Sequence, residues 1–107
     1  MQYPHLFEKG SIGRVQIKNR IVMPPMGTNF TGNDGVVCDR NIQYYRERAR
    51  GGVGLIIVEA AYIHQSAKHR TNGIGSAEDR FIPGLRRLAQ AIREEGSVPA
   101  IRPKRPM

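Results

Sequence analysis

Apolar residues follow two different periods along this chain. Val15, Ile17, Ile21 and Met23 alternate with polar neighbours on either side of Lys18-Asn19, which predicts two short strands joined at the asparagine. The second is expected over 21–26 and has to stop at Pro24-Pro25, because a proline pair removes two main-chain donors from any ladder. Residues 28–37, carrying Gly32-Asn33-Asp34-Gly35, read as a loop. The period then lengthens. Ile42, Tyr45 and Ala49 share one face of a helix predicted over 40–50, with Asp39 as its cap and Gly51-Gly52 as its end.

Val53 to Ala60 is apolar and β-branched without alternation, the pattern of a strand buried on both faces. After a polar stretch over 62–80, a second helix is specified in more detail. Pro83 suits its first turn, Leu85, Leu88, Ala89 and Ile92 line one face, and Gly96 suits a left-handed cap. Ser97 to Ile101 opens another strand, expected to break at Arg102-Pro103. The order hairpin, strand, helix, strand, helix, strand implies an α/β fold with a parallel sheet and right-handed crossovers. So few strands leave such a sheet with open edges. A (β/α)8 barrel takes about 250 residues, and this chain holds a hairpin and roughly two and a half of its eight βα units.

The chain has 107 residues and a formal charge of +8. Three of its cations, Arg102, Lys104 and Arg105, lie in the last six positions, and removing them leaves +5. Residues 1–101 are therefore read as one segment and 102–107 as a basic tail. Arg40, Arg46, Arg48 and Arg50 form a second concentration around the single acid Glu47, read as a solvated helix face. A small basic protein that binds nucleic acid or an acidic partner is the alternative this charge allows. The single cysteine, Cys38, excludes an internal disulfide, and with three scattered histidines it builds no metal site. No apolar run approaches the roughly 20 residues of a membrane helix. The first residues show neither a basic region nor an apolar one, so a cytoplasmic location is expected. Asn29-Phe30-Thr31 matches a glycosylation sequon and is taken as chance.

In parallel α/β folds chemistry collects at the carboxyl ends of the strands. Here those ends are Pro24-Pro25-Met26-Gly27-Thr28 and Glu59-Ala60-Ala61-Tyr62. Two prolines make a rigid apolar wall, Gly27 permits close main-chain approach, and the Gly27 and Thr28 amides with the Thr28 hydroxyl suit the polar edge of a flat ring. Ala60 is small enough to let a ring lie against the strand. A proline-terminated strand and an ordinary packed alanine explain the same residues more plainly.

Leu6-Phe7-Glu8, then Lys18-Asn19-Arg20-Ile21-Val22-Met23-Pro24-Pro25-Met26-Gly27-Thr28, then Tyr44-Tyr45 with Arg48-Ala49, then Gly52 to Ala60 occur in an order and spacing that resembles the amino-terminal part of the old yellow enzyme family. The Met-Gly-Thr variant is similar to its 2,4-dienoyl-CoA reductase and enoate reductase branch. The resemblance implies a segment of a (β/α)8 barrel from an FMN-dependent oxidoreductase. Such an enzyme passes a hydride from NAD(P)H to flavin and on to an activated alkene, and its partners are the flavin and an enoyl or dienoyl substrate. It implies that Pro24, Pro25, Met26 and Gly27 lie along the flavin ring, that Ala60 contacts it, and that Thr28 lies beside it. After Ala100-Ile101 the family pattern continues with a glutamine that bonds the flavin, where this chain has Arg102. The expectation is a fragment with no catalytic residues of its own, inactive alone, weak toward FMN, and able to pair with the missing remainder of a barrel.

Other residues carry less. Gly51-Gly52-Val53-Gly54 precedes a strand, the wrong context for a phosphate loop. His64 follows the second strand end and reads as a solvated loop histidine, and His5 and His69 carry no functional case. Cys38, just before a helix, reads as an ordinary half-buried residue.

Overall fold

The computed structural model describes residues 2–68 and 73–104. The hairpin forms, but earlier than the alternation suggests. β1 (Gly10–Ile12) pairs antiparallel with β2 (Val15–Ile17), with Ile12 opposite Val15, so the connection is Gly13-Arg14 rather than Lys18-Asn19. Gly13 has φ 59, the positive value a two-residue hairpin connection needs at its first position. Asn19 has a different task. It is buried, its amide donates to the Gly52 carbonyl at 2.7 Å, and its oxygen accepts from the Ile21 amide at 3.1 Å. Gly54 packs so closely against it that a Cβ there would overlap the Asn19 main-chain and side-chain oxygens. The asparagine thus carries the chain out of the hairpin and into a second sheet.

That sheet is three-stranded and parallel, in the order β3 (Val22–Met23), β4 (Leu55–Tyr62), β5 (Val98–Lys104). Val22 lies opposite Leu55, and Leu55 opposite Val98. β3 ends immediately before Pro24-Pro25, where the donors run out. α1 (Asp39–Arg50) joins β3 to β4, and α2 (Ile82–Glu94) joins β4 to β5. The core lies between this sheet and the helices, where Ile56, Val58 and Ala61 meet Tyr45 and Ala49 of α1 and Leu88 and Ile92 of α2. Full burial of an isoleucine such as Ile56 contributes about 1.5–3 kcal/mol.

The helix ends are only partly as expected. Pro83 stands in the first turn of α2, and Gly96 has φ 91 with its amide on the Arg93 carbonyl at 2.9 Å. At α1, however, the cap is Cys38 and not Asp39. The Asn41 side chain reaches back to accept from the Cys38 amide at 2.9 Å, the reverse half of a capping box. Asp39 instead opens the helix and accepts from Arg87 of α2 at 2.8 Å. Nor is the arginine face merely solvated. Arg46 pairs with Glu94 at 3.1 Å, Arg50 pairs with Glu95 at 3.3 Å, Arg40 lies over the Phe30 ring and Arg48 over Tyr44.

β5 does not break at Ile101. It continues through Arg102 and Pro103 to Lys104, so the first three residues of the basic segment belong to the sheet, while 105–107 lie outside the described residues. Val58 faces Ile101, but Ala61 faces Pro103, three steps in β4 against two in β5. Glu59-Ala60 is therefore a bulge, and the ladder resumes with the Ile63 amide on the Lys104 carbonyl at 3.1 Å. Proline is tolerated at 103 because β5 is an edge strand. Among the described residues the sheet does not close into a barrel.

Candidate functional site

Because the strands are parallel, the segments after β3 and at the end of β4 emerge on one side of the sheet. Pro24, Met26 and Gly27 are exposed and Pro25 is half-buried, so the segment presents an open apolar wall. Met26 is 50% exposed, whereas Met23, three residues earlier, is core. Pro25 also lines an apolar groove of about 530 Å³ with Ile57, Ala100 and the hairpin side chains. Arg102 is the cationic residue on that groove. Ala60 is half-buried in the bulge and does not line the groove.

What joins the two segments is a residue the sequence reading passed over. Glu59 is 2% exposed. Its carboxylate accepts from the Thr28 hydroxyl at 2.9 Å and from the Tyr45 hydroxyl at 2.7 Å, while its own amide donates to the Tyr45 oxygen at 3.1 Å. A buried carboxylate is costly unless its oxygens are bonded, and here both neighbouring elements supply donors. Burial, reinforced by the adjacent Glu59 carboxylate, holds the Tyr45 phenol far above its ordinary titration range, so it stays a donor. An acid inside an otherwise apolar strand, with a tyrosine on the inward stripe of the preceding helix, was the available signal.

This geometry divides the candidate residues. The single proton of the Thr28 hydroxyl goes to Glu59, and its oxygen accepts from the Phe30 amide at 3.3 Å, so what Thr28 offers a ring edge is its main chain. Asn29, next in the chain, has φ 61, a left-handed backbone that asparagine tolerates better than most residues. The Thr28 bond fixes the wall from one end and β3 fixes it from the other.

The remaining candidates have local roles. The His64 ring takes the Ser66 amide at 3.2 Å and caps the short helix Gln65–Ala67. His5 pairs with Glu8 at 3.2 Å on the surface. The Cys38 sulfur lies 3.3 Å from the Phe30 carbonyl oxygen and 3.2 Å from the Asn41 side-chain oxygen, two acceptors for its single proton, at the junction of the loop and the start of α1. Gly52, with φ 108, ends the turn after α1. His69 lies outside the described residues. Among the described residues no three His, Cys, Asp or Glu side chains gather as metal ligands, and no helix is long and apolar enough to cross a membrane.

Residues 5–102 match the family described as NADH:flavin oxidoreductase / NADH oxidase. The chain is 44% identical over 96 residues to an NADH oxidase from Thermoanaerobacter brockii, a match covering 89% of this chain and 15% of that protein. A solved 2-naphthoyl-CoA reductase in complex with 2-naphthoyl-CoA superimposes with TM-score 0.90 at 36% identity, over 94% of this chain and 15% of the other. The old yellow enzyme from Pichia sp. AKU4542 gives TM-score 0.88 at 27% identity, over 94% and 26%. The chain thus spans about a seventh to a quarter of the length of these relatives.

Proposed function

The chain belongs to the NADH:flavin oxidoreductase / NADH oxidase family, and from that premise we propose that it supplies one wall of an FMN pocket in an ene-reductase-type oxidoreductase. In this reading it corresponds to the first two and a half units of a (β/α)8 barrel. Pro24, Pro25, Met26 and Gly27 lie against the flavin ring, the Thr28 main chain meets its polar edge, and Ala60 leaves room beside it. The observation that carries this is the exposed Pro24 to Gly27 segment, held rigid through the Thr28 bond to buried Glu59. Its apolar side chains and accessible glycine fit a flat heteroaromatic group. When bound, FMN would supply hydride transfer from NAD(P)H to an activated alkene. The chain's own part is to position the ring and exclude water from one side of it.

The higher identity to the 2-naphthoyl-CoA reductase than to the Pichia enzyme, 36% against 27%, supports the branch that acts on enoyl and dienoyl thioesters. The nucleic-acid alternative loses support, since the four arginines of α1 are engaged with Glu94, Glu95, Phe30 and Tyr44. The proposed wall residues are uncharged and reach the ring only, so binding to FMN is weak and turnover by this chain alone is absent. Fluorescence titration of the purified chain with FMN, followed by NADH addition, tests this. Weak quenching without NADH oxidation is expected, and stoichiometric bound flavin with NADH oxidation overturns it.

A further inference from the structure

We propose that Arg102 makes the groove beside the Pro24 to Gly27 wall selective for the reduced, anionic state of a flavin ring over the oxidised, neutral one. This rests on the pocket reading above and goes beyond it, because it assigns a charge preference that the neutral wall residues do not have. The groove of about 530 Å³ is lined by apolar side chains, Pro25, Ile57 and Ala100 among them, and by one charged residue, Arg102. Lys104, two positions further along β5, does not line it. Val58 faces Ile101 and Ala61 faces Pro103, so Arg102 stands across from the Glu59-Ala60 bulge. The carboxyl ends of three neighbouring strands thereby contribute a proline wall, a small residue and a cation.

The Glu59 carboxylate, which shares that bulge, does not neutralise the cation, because it is taken by the hydroxyls of Thr28 and Tyr45. The ion pairs among the described residues join Glu8, Asp39, Glu78, Glu94 and Glu95 to other cations and leave Arg102 out. Beside apolar walls a charge is felt more strongly than in open water, since less solvent screens it. A guanidinium there gains little from a neutral ring and offers paired hydrogen bonds to an anionic edge. An oxidised flavin ring is neutral. Taking up two electrons, and one proton at N5, leaves it with a negative charge shared by N1 and the adjoining carbonyl oxygen, a planar acceptor pair of the kind a guanidinium fork fits. Charge near that edge is one of the means by which a protein sets the electronics of a flavin.

The test is an anaerobic NMR titration of the isotope-labelled 107-residue chain with riboflavin, either oxidised or reduced by an equimolar amount of dithionite, with Kd read from the Gly27 and Thr28 shifts. Reduced riboflavin should bind about tenfold more tightly than oxidised, which for a two-electron couple corresponds to a potential raised by about 30 mV in the bound state. Arg102→Gln should abolish the difference by weakening the reduced form alone, and its unchanged affinity for oxidised riboflavin shows that fold and wall are intact. Arg102→Lys, which keeps the charge and loses the fork, should retain part of the difference. Equal affinity for the two forms in the unaltered chain overturns the proposal and leaves the pocket reading in place. A preference that survives Arg102→Gln, or a variant that weakens both forms alike, overturns it too. So does an Arg102→Gln variant that weakens FMN in both states and leaves riboflavin unchanged, because the guanidinium then meets the phosphate and not the ring. Binding of neither form contradicts the pocket reading and this inference together.

Discussion

The Tyr45 hydroxyl stands 2.7 Å from a Glu59 carboxylate oxygen and 3.1 Å from the Glu59 main-chain nitrogen. One phenol therefore both donates to and accepts from a single residue, and it does so at the bulge where β4 and β5 change register. Tyr45→Phe removes both bonds and leaves the buried carboxylate with one donor fewer. A loss of about 1–3 kcal/mol is expected, measured from urea unfolding midpoints at constant slope. Glu59→Gln keeps an acceptor in place and should cost less than Glu59→Ala.

The same pair makes stability fall in alkali. Burial raises the folded-state pKa of Tyr45 above the ordinary value of 10.0, and Tyr62 is raised in the same direction by its burial. Above that pH the unfolded chain loses phenolic protons that the folded chain keeps, so the unfolded state binds fewer protons and stability declines as pH rises. The contribution is complete below the unfolded value and is lost above it. Unfolding midpoints measured upward from pH 8 should drop past pH 10, and Tyr45→Phe should flatten that drop without abolishing it, since Tyr62 remains.

Gly54 is required by contact, not by backbone dihedral. A Cβ there overlaps the oxygens of Asn19, whose amide bonds to Gly52 and Ile21 are what steer the chain from hairpin to sheet. Gly54→Ala should destabilise by on the order of 1–3 kcal/mol, the usual cost of overpacking. Calorimetry is the check. Gly13→Ala, where no atom lies within 4 Å of the new Cβ, should show only the milder penalty of its φ of 59.

Thr28→Val separates the role of the hydroxyl from that of the main chain. It breaks the link to Glu59, and the expected outcome is faster amide exchange from Met26 to Phe30 with little change at β4. Thr28→Ser should restore protection, because it restores the donor.

Much of the fold was readable because it depends on local rules. Apolar period gave both helices and the buried strand, the proline pair ended β3, and Gly96 took its left-handed cap. The misreadings share a different cause. Lys18-Asn19 looked like a hairpin turn, but the Asn19 side chain was committed to Gly52, a partner 33 residues away. Asp39 looked like the cap, but Arg87 on α2 claimed it, and Asn41 turned back to Cys38. Arg102-Pro103 looked like a break, but β5 lies at the edge of the sheet among the described residues, where a proline is tolerated, and it continues to Lys104. At the site, the proline wall was legible as rigid and apolar. Its anchor was not, because Thr28, Tyr45 and Glu59 are brought together by three separate elements.

The central claim is that Pro24 to Gly27 and Ala60 form a flavin wall. Its most direct test is heteronuclear NMR of the isotope-labelled chain titrated with FMN and, separately, with riboflavin. Shift changes should be confined to Met26, Gly27, Thr28 and residues 59–61, and the two ligands should bind with indistinguishable affinity, because neutral wall residues sense the ring and not the phosphate. Shifts centred on the α1 arginines, or tight FMN binding with none for riboflavin, would contradict the account.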